Sequence, residues 1–199
     1  MLNLKTVPAG VYEANCYILV DSETKDCAII DAGGDAGKIS AAVENMQGNP
    51  KYLLLTHGHF DHVGGVKEIC SKYDIPFYIS KTDEEYMEKD NSVFGTLPKA
   101  SGYLKEGDVV KLGSREIKVI ETPGHTKGGL CFLIDGKLFT GDTLFQGSIG
   151  RTDFIGGDMK EIISSIKNKL LPLGDDVEVY PGHGPSSSIK FEKMRNPYL

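Results

Sequence analysis

The chain of 199 residues has five histidines, and three of them fall in one stretch, "LLLTHGHFDHVGG", from Leu53 to Gly65. His57, His59, Asp61 and His62 there spell H-x-H-x-D-H. The other two are His125 in "TPGHTKGG" and His183 in "YPGHGPSS", and a further acid, Asp142, stands in "LFTGDTLF". Imidazoles and carboxylates together are ligands for a first-row divalent metal such as zinc, iron or manganese. In H-G-H the two histidines point the same way only if the chain is extended, so Asp61 and His62 fall at the start of the next helix. Seven ligands (His57, His59, Asp61, His62, His125, Asp142 and His183) are too many for one tetrahedral ion and suit two ions that share a carboxylate. The competing readings are a structural metal, or histidines satisfied in a polar core. A structural zinc usually draws on cysteine and closes its shell with four ligands, so a cysteine-free cluster of this size favours open, catalytic positions.

The elements before these residues must bring them together. His57 follows a strand-like "YLLL" (52–55), His125 follows "IKVIET", Asp142 follows "KLFT" and His183 follows "VEVY" (177–180). Gly124, Gly141 and Gly182 directly precede three of them, and glycine lets the backbone turn sharply and approach closely. If the strands share sheets with their ends on one edge, four loops converge on one spot.

Further strands are expected at 15–20 and 27–34, joined by "DSETKD", and at 76–80, 109–112, 115–121, 130–135 and 137–141. Asp135-Gly136 marks the hairpin between the last two. Apolar residues at helical spacing predict helices over 36–46, over 62–73 with Val63, Val66, Ile69 and Cys70 on one face, and over 159–170. A short helix is expected over 82–89. Residues 90–104 show no clean period and read either as a lid or wall of a site, or as a surface excursion. The two halves look alike in element order, which predicts a single metallo-hydrolase domain over 1–199 in the α/β class, built from two similar layers.

A formal net charge of −6 argues against nucleic acid as a partner and gives no attraction to an anionic membrane. No apolar run approaches the length of a membrane span. Cys16, Cys27, Cys70 and Cys131 sit among apolar neighbours without a C-x-x-C pair, as buried free thiols do. The N-terminal "MLNLKTVPAG" lacks the apolar core of a signal peptide. The expectation is a cytoplasmic protein, a monomer or small homo-oligomer.

"THGHFDH", the downstream G-H-T, G-D-T and G-H-G, and "IIDAGG" upstream resemble the metallo-β-lactamase superfamily from about Asn15 to Gly184. The resemblance implies an αβ/βα four-layer sandwich and two divalent ions, zinc first, with iron or manganese as alternatives. One ion would take His57, His59 and His125, and the other Asp61, His62 and His183. Asp142 would bridge them together with a hydroxide, and Asp31 would orient the metal loops from behind. Within the superfamily "GDTLFQGSIGRTDF" and the tail "FEKMRNPYL" look like the glyoxalase II, or hydroxyacylglutathione hydrolase, group in its short form without the helical C-terminal domain. The implied reaction is hydrolysis of a small-molecule thioester of the S-lactoylglutathione type by the bridging hydroxide. Asp142 and Asp61 would be the catalytic acids, Asp61 mainly positional. Arg151 would contact the glutathione part, or else be tied to Asp153 or Asp158. A second implied reading is a persulfide dioxygenase with one iron on His57, His125 and Asp142, because "GRTDF" occurs there too. A third is a non-enzymatic metal-binding module, which a complete ligand set disfavours. An exported β-lactamase does not fit a chain without an export signal, and a nuclease does not fit its acidic charge.

Overall fold

A computed structural model describes residues 1–199. Its first sheet comprises β1 (Leu2–Ala9), β2 (Ala14–Asp21), β3 (Asp26–Ile30), β4 (Asn49–Leu54), β5 (Phe77–Ile79) and β6 (Gly102–Tyr103), hydrogen-bonded in that order. Helices α1 (Ala36–Asn45), α2 (Phe60–Val63), α3 (Val66–Tyr73) and α4 (Lys81–Lys89) lie between its later strands in sequence. The second sheet comprises β7 (Val109–Leu112), β8 (Arg115–Glu121), β9 (Leu130–Ile134) and β10 (Lys137–Gly141). A small hairpin follows, β11 (Leu144–Phe145) with β12 (Ser148–Ile149), and then α5 (Met159–Ser165). The chain returns to the second sheet as β13 (Glu178–Pro181) and β14 (Ser187–Ser188) and ends in α6 (Ile189–Arg195). The spatial order of the second sheet is β14-β13-β10-β9-β8-β7.

Side-chain alternation explains the layering. Along β2, Cys16, Ile18 and Val20 join an apolar cluster that includes Ile39 and Val43 of α1 and Val66 and Ile69 of α3. Tyr17 and Leu19 point the other way and meet Phe132 of β9 and Phe139 of β10. Strands β3 and β4 divide their residues in the same manner. Behind the second sheet, Cys131 and Leu138 pack on Ile162 of α5, Ile166, Leu170 and Ile189 of α6. Three stacked apolar interfaces thus separate four layers: helices, sheet, sheet, helices, the αβ/βα sandwich that the resemblance implies. Each fully buried Leu or Ile in them contributes roughly 1.5–3 kcal/mol.

The structure corrects the element reading in several places. The strand expected over 27–34 ends at Ile30, where Asp31 takes a left-handed φ of 53°. The helix expected over 62–73 is two helices, α2 and α3, broken at Gly64 and Gly65. The break is a close approach: a Cβ on Gly64 would meet Gly33 O at 2.7 Å, and Gly65 N donates to Ala32 O at 2.7 Å. The helix over 159–170 is α-helical only to Ser165 and widens into a π-helical turn over Ile166–Leu170. A 3₁₀ turn over Leu171–Leu173 follows, where Pro172 has no N–H to continue the ladder. Strand β1 had no sequence signal of its own. It lies at the sheet edge, where Pro8 is tolerated, and pairs antiparallel with β2 from Leu2↔Asp21 to Ala9↔Ala14. No helix is long and apolar enough to cross a membrane.

Candidate metal centre

Strands β3 and β4 run parallel in the first sheet, and β10 and β13 run parallel in the second. Their carboxyl ends open on the same cavity. Asp31 leaves β3. Thr56, His57 and His59 leave β4, with Asp61 and His62 in the first turns of α2. His125 follows β8, Asp142 follows β10 and His183 follows β13. The loop bearing His183 is tied to the first sheet by Asn15, whose Nδ2 donates to Pro181 O and Gly184 O at 3.0 Å each, and by the Tyr17 hydroxyl on Pro181 O.

All seven residues named from the sequence come together here. Three sets each bring three ligand atoms within 4.8 Å of one another and could hold a metal ion: His57, His59 and His125; His57, His62 and Asp142; and Asp61, His62 and His183. Asp142 sits between the outer two. Its Oδ1 is 3.3 Å from His62 Nε2, and its Oδ2 is 3.6 Å from His125 Nε2 and 3.8 Å from His183 Nε2. Asp61 Oδ2 lies 3.1 Å from His183 Nε2.

The surrounding hydrogen bonds fix which nitrogen of three rings faces the cluster. Thr56 Oγ1 donates to Asp31 Oδ2 at 2.7 Å, so it accepts from His57 Nδ1 at 3.0 Å. His62 Nδ1 donates to Asp31 Oδ2 at 2.9 Å, and His125 Nδ1 donates to the Arg151 carbonyl at 2.8 Å. Each ring therefore turns its Nε2 inward, the arrangement that outer hydrogen bonds impose on metal-ligating histidines. His57 Nε2 and Asp142 Oδ1 are buried without any hydrogen-bond partner. Lone pairs that converge, with acceptors left unpaired in a buried place, are what a divalent cation satisfies and what a proton network does not. The residues fit such ions.

The charge states agree at His57, His59 and His125, whereas His62 carries a proton between Asp31 and Asp142 that an ion would displace. Burial, reinforced by the neighbouring imidazoles, holds His57 far below its ordinary pKa and His59 down to about 3. Burial also lowers His125. These three rings are neutral near pH 7. Burial opposes a charge on His62, but the Asp142 and Asp31 carboxylates outweigh it and raise that ring well above its ordinary value. The hydrogen bond from His183 to Asp61 raises His183. Burial would neutralise Asp142, yet His62, His125 and His183 keep it ionised.

Beside the cluster lies a cavity of about 260 Å³ whose lining includes His59, Asp61, His125 and Asp142, with Tyr12, Phe60, Val93 and Phe154 as its apolar side. Tyr12 meets Phe60 edge-on at 5.5 Å. Of residues 90–104, Val93 lines this cavity and Phe94 backs it, while the rest of the segment runs elsewhere. Phe60 N donates to Val93 O, Gly95 N donates to Gly58 O, and the Phe94 ring packs on His59 at 4.8 Å. Arg151 stands at the mouth with its guanidinium 3.8 Å over the Phe154 ring. Its Nε and Nη2 are engaged by Asp153 at 2.7 and 2.6 Å, the first of the two carboxylate ties considered for it. Asp158 instead caps α5 by accepting from Lys160 N and Glu161 N.

Sequence reasoning does not reach Thr56, Asn15, Phe154 or Asp83. Asp83 carries no motif. Its only trace is the glycine it requires, because a Cβ on Gly128 would lie 2.6 Å from Asp83 Oδ1.

Known proteins share the sequence pattern and the fold. The profile of the metallo-beta-lactamase superfamily matches residues 9–183. Over its full length the chain is 38% identical to a hydroxyacylglutathione hydrolase, GloC, of Haemophilus influenzae, 98% of which is covered. The crystal structure of the B3 metallo-beta-lactamase BLEG-1 superposes with a TM-score of 0.91 at 34% identity, over 100% of this chain and 99% of that one. TTHA1623, solved in a di-iron-bound form, gives 0.87 at 32% identity over 98% and 100%. ETHE1 from Myxococcus xanthus gives 0.86 at 25% identity over 98% and 83%.

Proposed function

We propose that this chain, which belongs to the metallo-beta-lactamase superfamily, is a metal-dependent hydrolase of small-molecule thioesters. Its substrates on this reading are S-acylglutathiones of the S-lactoylglutathione type. The observation that carries the proposal is the shared carboxylate: Asp142 reaches ligand sets on both sides, next to a cavity that can take a substrate. His57, His59 and His125 would hold one divalent ion and Asp61, His62 and His183 the other, with Asp142 between. Such ions lower the pKa of water toward neutrality and polarise a carbonyl oxygen.

The chain's own residues do the rest. Asp31, Thr56 and the Arg151 carbonyl hold three imidazoles in one orientation, so the site is formed before substrate arrives. Asp61 fixes His183 through the contact at 3.1 Å and is mainly positional. Tyr12, Phe60 and Phe154 give the cavity one apolar face. No further acid stands over the centre to protonate a leaving group. That suits a thioester, whose thiolate leaves without help, better than an amide. At the mouth, the Arg151 fork would exchange Asp153 for a substrate carboxylate. The 38% identity to a hydroxyacylglutathione hydrolase supports this substrate class.

The test is a steady-state screen with metal content measured on the same sample. S-lactoylglutathione, other thioesters, a lactone, a β-lactam and glutathione persulfide would be compared. Turnover of the glutathione thioester with two metals per chain is the expected result. Failure to cleave any thioester at any metal loading refutes the proposal. The second reading, a mononuclear iron dioxygenase on His57, His125 and Asp142, draws on the contact between His125 and Asp142 at 3.6 Å. One iron per chain and oxygen uptake with the persulfide would establish it instead. The same proposal has the enzyme act in the cytoplasm as a monomer or small homo-oligomer, with no nucleic-acid or membrane partner.

A further inference from the structure

We infer that Asp83 is a positioning residue for the metal centre: its carboxylate staples the loop of His57 and His59 to the loop of His125 and so sets the geometry of that trio. The inference rests on the metal-centre reading above.

Asp83 is the one buried residue of α4; the rest of that helix is partly or fully exposed. A helix would ordinarily be anchored by an apolar side chain, since an ionised carboxylate buried without a cation is costly unless every lone pair is used. No cation pairs with Asp83. Its partners are instead three donors from two distant loops. Oδ2 accepts from Gly58 N and from Thr126 Oγ1, both at 2.9 Å, and Oδ1 accepts from Gly128 N at 2.8 Å. Gly58 lies between His57 and His59, and Thr126 follows His125 directly. One carboxylate thus touches the chain beside all three imidazoles of one ligand set.

Gly128 admits this contact, and Gly58 admits the close packing of Met87 and Phe94 beside it. A Cβ on Gly128 would meet Ser80 Oγ at 2.1 Å as well as Asp83, and a Cβ on Gly58 would meet Met87 at 2.9 Å and Phe94 at 3.0 Å. Burial pushes the Asp83 carboxyl up to about 6 against the pull of its hydrogen bonds, so above that pH it is ionised and only accepts. An amide cannot replace it. In either orientation of an asparagine side chain at this position, one of the two glycine N–H groups faces an NH₂ group, and the loop bearing it must shift.

The experiment uses the full-length chain, stripped of metal, with cobalt(II) as probe. Stepwise titration followed by the cobalt d–d spectrum, with competition by a chelator, gives an affinity for each step. The variants are Asp83→Asn, Thr126→Val and Thr126→Ser, and thermal melts of the metal-free proteins report folding. In Asp83→Asn one binding step is expected to weaken by about 10–100-fold with an altered spectrum, the other step holding. Thr126→Val should weaken the same step to a smaller extent, and Thr126→Ser, which keeps the hydroxyl, should restore it. Wild-type affinities and spectra in both Asp83→Asn and Thr126→Val overturn the inference. So does an equal loss at both steps, accompanied by a lower melting temperature, that Thr126→Ser does not reverse. Should the wild-type chain bind no cobalt, the metal-centre reading itself fails, a result distinct from either.

Discussion

The Asp31 carboxylate lies 2.9 Å from His62 Nδ1, with both side chains buried. Asp31 holds a left-handed backbone angle, φ 53°, at the end of β3, and it also accepts from Thr56 N at 2.8 Å. It therefore orients the ring of His62 and, through Thr56, the ring of His57. Asp31→Ala frees both. The expected outcome is a loss of about 10–100-fold in affinity for the ion at Asp61, His62 and His183, read by chelator competition. Unchanged affinity there would show that packing alone orients His62.

Gly182→Ala tests the closeness of the two halves. A Cβ at 182 would sit 2.2 Å from Asp142 Oδ1 and 2.7 Å from His62 Cε1. Neither side chain has room to retreat, because both belong to the cluster. Metal content is expected to fall below one ion per chain by elemental analysis, with the far-ultraviolet circular dichroism retained. Full metal content would contradict the packing described.

Arg151 and Asp153 make opposite predictions. Arg151 reaches the cluster only through its carbonyl, and its exposed ion pair adds little to stability. Arg151→Gln is expected to keep metal content and melting temperature, and to raise KM for a glutathione thioester about tenfold at constant kcat. Asp153→Asn leaves the guanidinium free and should lower KM for the same substrate. If both variants move KM the same way, the fork does not bind substrate.

Removing the ions should cost stability. An ion at a hundredfold excess over its Kd adds about 2.7 kcal/mol. A chelator is thus expected to lower the melting temperature and abolish hydrolysis together, and added metal to restore both. A melting temperature indifferent to chelation would mean that the folded chain binds no ion more tightly than the unfolded chain.

The thiols give a prediction in pH. Burial raises Cys27 and Cys131 to about 12 and Cys70 to about 11, from 9.0. A folded pKa above the unfolded one means that the native state keeps its protons longer. This contribution is whole below pH 9 and is lost as pH rises toward 12. Chemical denaturation at pH 8 and pH 10.5 should therefore show lower stability at the higher pH. A disulfide-exchange reagent at pH 8 should find Cys16, Cys27 and Cys131 unreactive until the chain unfolds, and Cys70, which is only partly buried, the first to react.

The metal cluster was legible in the sequence because its chemistry is local and its residue types are scarce. H-x-H-x-D-H places four ligands within six positions, and a strand stands before each of the others. The four layers were legible through the resemblance alone, because β2 is buried at every position and the division of its side chains between two interfaces shows only in the fold. What could not be read are contacts made through space by common residues. Asp83 meets Gly58, Thr126 and Gly128 across 25 to 45 positions, and nothing around it in "SKTDEEY" differs from a solvated helix start. The break at Gly64 was hidden because Val63, Val66 and Ile69 keep a helical period across it. At Arg151 the residue type suggested a side-chain role, whereas its carbonyl makes the contact with the cluster.

The division of ligands between the sheets bears on the order of events during folding. Every ligand set draws on both sheets, since His57, His59, Asp61 and His62 follow β4 while His125, Asp142 and His183 follow strands of the second sheet. No early local segment can capture an ion with a full set. The apolar interface between the sheets is therefore expected to form before the ion binds, so that metal meets a nearly finished pocket. The chain should therefore fold without metal, unlike a zinc finger, whose ligands gather around the ion as it folds. Metallation becomes a final quality check: a chain with misdocked sheets leaves its ligands scattered and stays inactive.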